Sequence, residues 1–250
     1  MPRILMILGV IVVCIGEFFI YQNNSTQRTI QNQKMFDVVM AEKMRELYIQ
    51  AQDWSTPVQL EVEDDRLSGD YQLMSEFLLN YWKENIEARN HYLRQLKAAQ
   101  WDAFLDVERL ERDSKSNYKE TEQMFSDVRR ASLEYDKKRQ QIQSQALADA
   151  KELSLDAELQ QRLQQKLAKN LHVDPAQDIF AIEQQIIEKA QAMFDLLKKY
   201  EWQRQGKLIL FHESAKVRKF NTLYQDVLKL NAQIEKIKNN IDSKKGNNVK

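Results

Sequence analysis

Three histidines, His91, His172 and His212, are the side chains of this chain best suited to proton transfer or metal ligation near neutral pH. They stand far apart, none has a second histidine four residues on, and none neighbours a cysteine. A zinc site would have to be assembled entirely by folding. Residues 61–70, EVEDDRLSGD, place five carboxylates in one short stretch. Such a cluster suits a divalent cation, but its spacing departs from the EF-hand loop, and it reads as a solvated acidic loop. Trp82, Trp101 and Trp202, with Tyr81, Tyr92 and Tyr200, carry faces on which a ligand can stack. On long helices the same residues fill a core, because aromatic rings supply large buried area. Cys14 is the sole cysteine, so an intramolecular disulfide and a cysteine-based zinc site are both excluded. No G-x-S-x-G, Walker loop or G-x-G-x-x-G occurs among the five glycines. The expectation is therefore no enzyme, no cofactor and no metal site.

The elements that position these residues read as helices. Among 250 residues there are only 5 Gly and 3 Pro, so turns are few and elements long. Neither Gly nor Pro occurs between Gly69 and Pro175. Gln, Glu, Lys, Leu and Ala, all good helix formers, dominate. Tyr71, Met74, Leu78, Tyr81, Asn85, Arg89, Tyr92, Leu96, Ala99, Ala103, Val107 and Leu110 recur at intervals of three and four, the period of one helix face. Alternation of period two is confined to Val58, Leu60 and Val62. Asp70 is a candidate cap for the helix after the acidic loop, and Ser154 for a later one. Around residues 113–117 the apolar pattern lapses, as at a turn or a polar patch. Asp174-Pro175-Ala176-Gln177 combines an N-cap residue, a proline at the first helical position and a glutamine three after the cap. Leu208 to His212 reads as a buried helix segment, or else as a site where a partner helix docks, and residues 207–242 as a helix. Its apolar stripe, Val217, Phe220, Leu223, Tyr224, Val227, Leu230, Ile234 and Ile237, is the candidate packing or interaction face.

Residues 4–21 are an apolar run long enough to span a hydrocarbon core of about 30 Å. Ile4, Leu8, Val12 and Cys14 lie within it. Glu17 sits one turn from its end, where a carboxyl reaches the headgroups, and Phe18 and Tyr21 suit the aromatic belt. Val13 before Cys14 lacks the small residue of a lipoprotein signal, and no small-residue cleavage site follows the run. A retained signal anchor is predicted. The basic extreme N-terminus, with Arg3, predicts that the remainder is exported.

The predicted fold class is all-α: a single N-terminal transmembrane helix followed by an elongated helical bundle with coiled-coil-like long helices. Residues 1–21 are the anchor, 22–54 a juxtamembrane helix, 55–69 an acidic loop, 70–243 the long-helix bundle and 244–250 a disordered tail. Formal net charge is zero, which gives no electrostatic reason to expect nucleic acid. From Gly206 onward there are ten Lys/Arg against four Asp/Glu, and the preceding helices are acidic in balance. The expected role is a scaffold in the cytoplasmic membrane, with its bulk outside the cytoplasm. It would space or recruit envelope proteins, or associate with itself, through helix–helix contacts, with no small-molecule substrate. The alternative is a membrane-linked sensor or adaptor whose bundle responds to a ligand or partner.

Overall fold

A computed structural model describes the backbone of residues 27–172 and 174–247, and the side chains of 31–171 and 174–240. Ile4, Leu8, Val12, Cys14, Glu17, Phe18 and Tyr21, the predicted anchor positions, lie outside the described residues. No helix among the described residues is long and apolar enough to cross a membrane. Helix accounts for 78% of the described residues, so the coarse expectation of a helical protein holds. The helices are α1 (Gln27–Gln52), α2 (Asp70–Ala98), α3 (Val107–Ser114), α4 (Lys119–Glu152), α5 (Ala157–His172), α6 (Pro175–Lys199) and α7 (Ser214–Asn247). Between α6 and α7 stand two strands, β1 (Trp202–Gln205) and β2 (Leu208–Phe211).

The chain divides into two compact units. One takes described residues from 27–91 and 134–174, the other 92–133 and 175–247, so α2 and α4 contribute to both.

In the first unit, α1 buries Phe36, Val39, Met40, Met44, Leu47 and Ala51, spaced at three and four as a core-facing stripe requires. Residues 53–69 form no regular element. Val58 and Leu60 nevertheless point inward, which explains the alternation there. Their backbone finds side chains in place of a second strand. Gln50 accepts from the Gln59 N–H at 2.8 Å and donates to the Gln59 carbonyl at 2.6 Å. The Val58 N–H donates to Glu87 at 3.0 Å, and Lys83 and Lys43 donate to the carbonyls of Leu60 and Glu61. Every buried backbone polar group needs such a partner. Arg66 binds Asp64 and Glu42 at 2.8 and 2.6 Å. The Arg66 hydrogen bond holds the Asp64 carboxyl down to about 2. The acidic loop is thus tied to α1 and α2 through its own arginine and its backbone.

Two sequence readings are corrected here. The cap of α5 is Asp156, whose carboxylate accepts from the Glu158 N–H at 3.0 Å, and not Ser154. Helix α5 buries Leu159, Leu163 and Leu167, and only a start at Ala157 puts Leu159 in the first turn. The segment Leu208 to His212 is not helical: Leu208–Phe211 is a strand, and the C-terminal helix begins at Ser214. Gly206 at φ +60° closes a two-residue turn with Lys207, and the chain doubles back there instead of winding on. Helix α7 then continues past Ser243 to Asn247.

The second unit centres on stacked rings. Trp101 and Phe104 lie 5.3 Å apart, Phe125 meets Phe104 edge-on at 5.3 Å, and Phe194 stacks on Phe125 at 5.4 Å. Helices α6 and α7 run antiparallel: Lys189 bonds Asp226 at 3.1 Å, while Lys216 lies over Tyr200. Helix α6 buries Ile186, Ile187, Ala190, Met193 and Leu197.

Candidate interaction surface

The most built-up corner of the second unit is the bend from α3 into α4. Asp106 caps α3, accepting from the N–H groups of Glu108 and Arg109 at 3.0 Å each. Asp113, at the far end of α3 and 2% exposed, caps the next helix. Its carboxylate accepts from the backbone N–H of Glu120 and Thr121 at 3.1 and 2.8 Å, and from the Thr121 hydroxyl at 2.7 Å. A negative charge there also faces the positive end of a 34-residue helix. Burial alone would raise the Asp113 carboxyl; bonds from Thr121, Glu120 and Ser116 outweigh it and hold it below the usual range. Arg109 lies beneath, 3.9 Å from Asp113, donating to the Ala103 and Phe104 carbonyls and to Thr121 Oγ1. Burial lowers the Arg109 guanidinium, partly offset by Glu120 and Asp113.

The bend needs two consecutive left-handed residues, Asn117 at φ 58° and Tyr118 at φ 59°. Asparagine tolerates that region; a tyrosine there is strained by about 1–3 kcal/mol. The Tyr118 ring supplies the compensation. It packs edge-on to Phe194 at 5.5 Å, and its buried hydroxyl donates to the Leu197 carbonyl at 2.9 Å. Burial pushes the phenol up, against a hydrogen bond from Trp202. That bond, from Trp202 Nε1 to Tyr118 Oη at 2.6 Å, connects the bend to the hairpin.

The hairpin is antiparallel, with Trp202 opposite Phe211, Gln203 opposite Leu210, Arg204 opposite Ile209 and Gln205 opposite Leu208. Residues facing one another share a face and alternate along each strand. Trp202, Arg204, Ile209 and Phe211 make the inner face. Arg204 binds Glu108 and Glu111 of α3 at 2.7 and 2.9 Å, and the Phe211 ring lies 5.5 Å from that of Phe220. Gln203, Gln205, Leu208 and Leu210 make the outer face, where Leu208 is 54% exposed. At the hairpin's foot Lys216 Nζ sits 4.0 Å above the Tyr200 ring. A hydrogen bond from Lys216 and the charge of Lys199 lower the Tyr200 phenol, and the same contact raises Lys216.

On α7, Phe220, Val227, Leu230 and Ile234 are buried, and Val217, Leu223, Tyr224 and Ile237 are half-buried. Trp82, Trp101 and Tyr92 are buried, while Tyr81, Tyr200 and Trp202 are half-buried. His91 and His212 are exposed on separate elements, and the His172 side chain lies outside the described set. The structure therefore assembles a surface that the sequence reading missed. Its signal was a glycine followed by one more residue between two four-residue runs, the composition of a hairpin turn. No protein-family model, no curated protein and no solved structure matches this chain.

Proposed function

We propose that this chain is a membrane-tethered interaction protein, held by residues 4–21, whose elongated helical part outside the cytoplasm recruits or spaces envelope proteins. The observation that carries the reading is the set of large apolar side chains left uncovered on otherwise charged surfaces. On α1, which follows the apolar run, Val38 is 48% and Ile49 61% exposed. Eleven residues apart, they share one helix face, as a surface for a partner helix requires. Leu208 is the corresponding side chain on the hairpin. Isolated apolar residues are ordinary on protein surfaces. Two apolar side chains on one face of α1, and separately an exposed leucine at the start of β2, are features of interaction surfaces.

The test is photo-crosslinking of the full chain in intact cells, with the probe at Ile49, at Leu208 and at the exposed polar Gln203. Discrete adducts at the first two positions and none at the third are expected. Adducts equal at all three, or none, sink the reading. A C-terminal alkaline phosphatase fusion addresses the side of the membrane: activity supports export, and a silent fusion reverses the topology.

A further inference from the structure

We propose that the outer edge of β2 is a docking site for an extended, acidic protein segment, which adds as a third strand to the hairpin. The proposal rests on the interaction reading above and names the partner's chemistry.

The backbone geometry comes first. With a two-residue turn, Gln205 and Leu208 form the hydrogen-bonded pair that closes it, and Gln203 with Leu210 form the next. The N–H and C=O of Ile209 therefore point away from β1. Among the described residues, Leu208–Phe211 make no hydrogen bond beyond the hairpin ladder. Helix α3 lies against β1, where two of its glutamates hold Arg204, and α7, which follows β2 in the chain, lies against β2; among the described residues the outward N–H and C=O of Ile209 have no backbone partner there. Sheet edges are ordinarily blunted by charge, proline or a bulge. Leu208, Ile209, Leu210 and Phe211 carry none of these. A two-stranded ribbon is marginal alone, and a third strand completes it.

Charge selects the occupant. Residues 207–219 hold Lys207, Lys216, Arg218 and Lys219 against the single acid Glu213. Glu213 already faces Lys216 at 3.8 Å, and Lys207, Arg218 and Lys219 are exposed. A second copy pairing β2 with β2 would bring these cations together across a two-fold axis. An acidic strand would neutralise them. Such a segment would set apolar residues beside Leu208 and Leu210 on the outer face, and carboxylates at alternate positions toward the lysines.

The experiment uses the purified full chain in detergent and a fluorescent octapeptide of alternating glutamate and valine, with an alternating lysine–valine peptide as its counterpart. The acidic peptide is expected to bind and to slow hydrogen exchange at the Ile209 amide. Its affinity should fall at least about tenfold on replacing the outward N–H by Ile209→Pro, the scale of one lost hydrogen bond. Affinity should also fall as salt rises from about 0.1 to about 1 M. Hydrogen exchange at the Leu208 and Leu210 amides, which belong to the hairpin ladder, reports whether the hairpin survives the proline. If it does not, the double variant Lys207→Glu/Lys219→Glu decides, since it should reject the acidic peptide and accept the basic one. Equal binding of both peptides, protection elsewhere than at Ile209, or undiminished binding by an intact Ile209→Pro overturns the proposal. Concentration-dependent protection of Ile209 without peptide gives the edge to a second copy and also overturns it. None of these results alters the crosslinking test at Ile49, so the interaction reading stands or falls separately.

Discussion

Replacing Asp113 by alanine removes the acceptor that starts α4. Three bonds from Glu120 and Thr121 are lost at 3.1, 2.8 and 2.7 Å, and Ser116 loses one at 3.1 Å. Loss of an N-cap costs about 0.5–2 kcal/mol. Thr121 is fully buried, so its N–H is stranded away from water, at about 1–3 kcal/mol. Breaking a buried ion pair costs about 3–5 kcal/mol. Arg109, however, keeps Glu120 at 3.5 Å and two carbonyls, which limits that part. These losses share the same atoms, and the combined expectation is about 3–5 kcal/mol. For a protein of this size that lowers the melting temperature by about 6–20 °C. Circular dichroism of the full chain in detergent at neutral pH measures it. The acid dependence is a second check. The folded-state value of Asp113 lies below that of an ordinary aspartate, so its contribution is complete above the ordinary value and is lost as pH falls through the lower one. The gap between wild type and variant should narrow as the pH falls below the ordinary carboxylate range. A loss below about 1 kcal/mol, or a gap that widens on acidification, refutes the capping argument.

Three other outcomes follow from the packing. Phe220→Ala should cost about 3–5 kcal/mol, as a large truncation of a buried ring packed against Phe211; an unchanged melting curve with lost partner binding would make this a docking face. Asn90 is 0% exposed, and neither atom of its amide has a hydrogen-bond partner. Asn90→Leu should therefore raise stability by about 1–3 kcal/mol in urea titration, and a loss would show that the amide is satisfied. Ultraviolet titration should find Tyr200 ionising below an ordinary tyrosine, and Lys216→Gln should move it back up; no movement would discard the Lys216 contact.

Much of the helical framework was legible because it follows from local chemistry. The start of α6 at Pro175 is written in Asp174 and Pro175, where a missing N–H costs nothing. The stripe from Tyr71 follows α2 as far as Leu96, with Tyr71, Met74, Leu78 and Leu96 buried, but Ala99, Ala103, Val107 and Leu110 fall past the end of α2, where Gln100 turns the chain at φ 56°. The hairpin was not legible from period. Leu208, Ile209, Leu210 and Phe211 are all apolar, so they show no alternation, and helix-forming neighbours surround them. The bend at Asn117 and Tyr118 was hidden for another reason. No local preference puts tyrosine at positive φ; contacts with Leu197 and Trp202, distant in sequence, hold it there. Asp113 likewise reads as part of a polar patch until that bend brings it to α4. For α5, two cap-forming residues compete, and the burial of Leu159 decides for Asp156.

The interleaved segments set an order of assembly. A chain delivered N-terminus first exposes residues 92–133 before the 134–174 segment needed by the first unit has emerged. Their own partners, 175–247, arrive later still. The ring cluster of Trp101, Phe104 and Phe125 must therefore wait for Phe194, with its apolar surface uncovered during synthesis. Late, distant closure is the slow route to a folded state. It leaves an interval in which a holding chaperone has more to grip than on the finished protein. The appearance of α6, and not the completion of any earlier helix, is then the event that lets this ring cluster close.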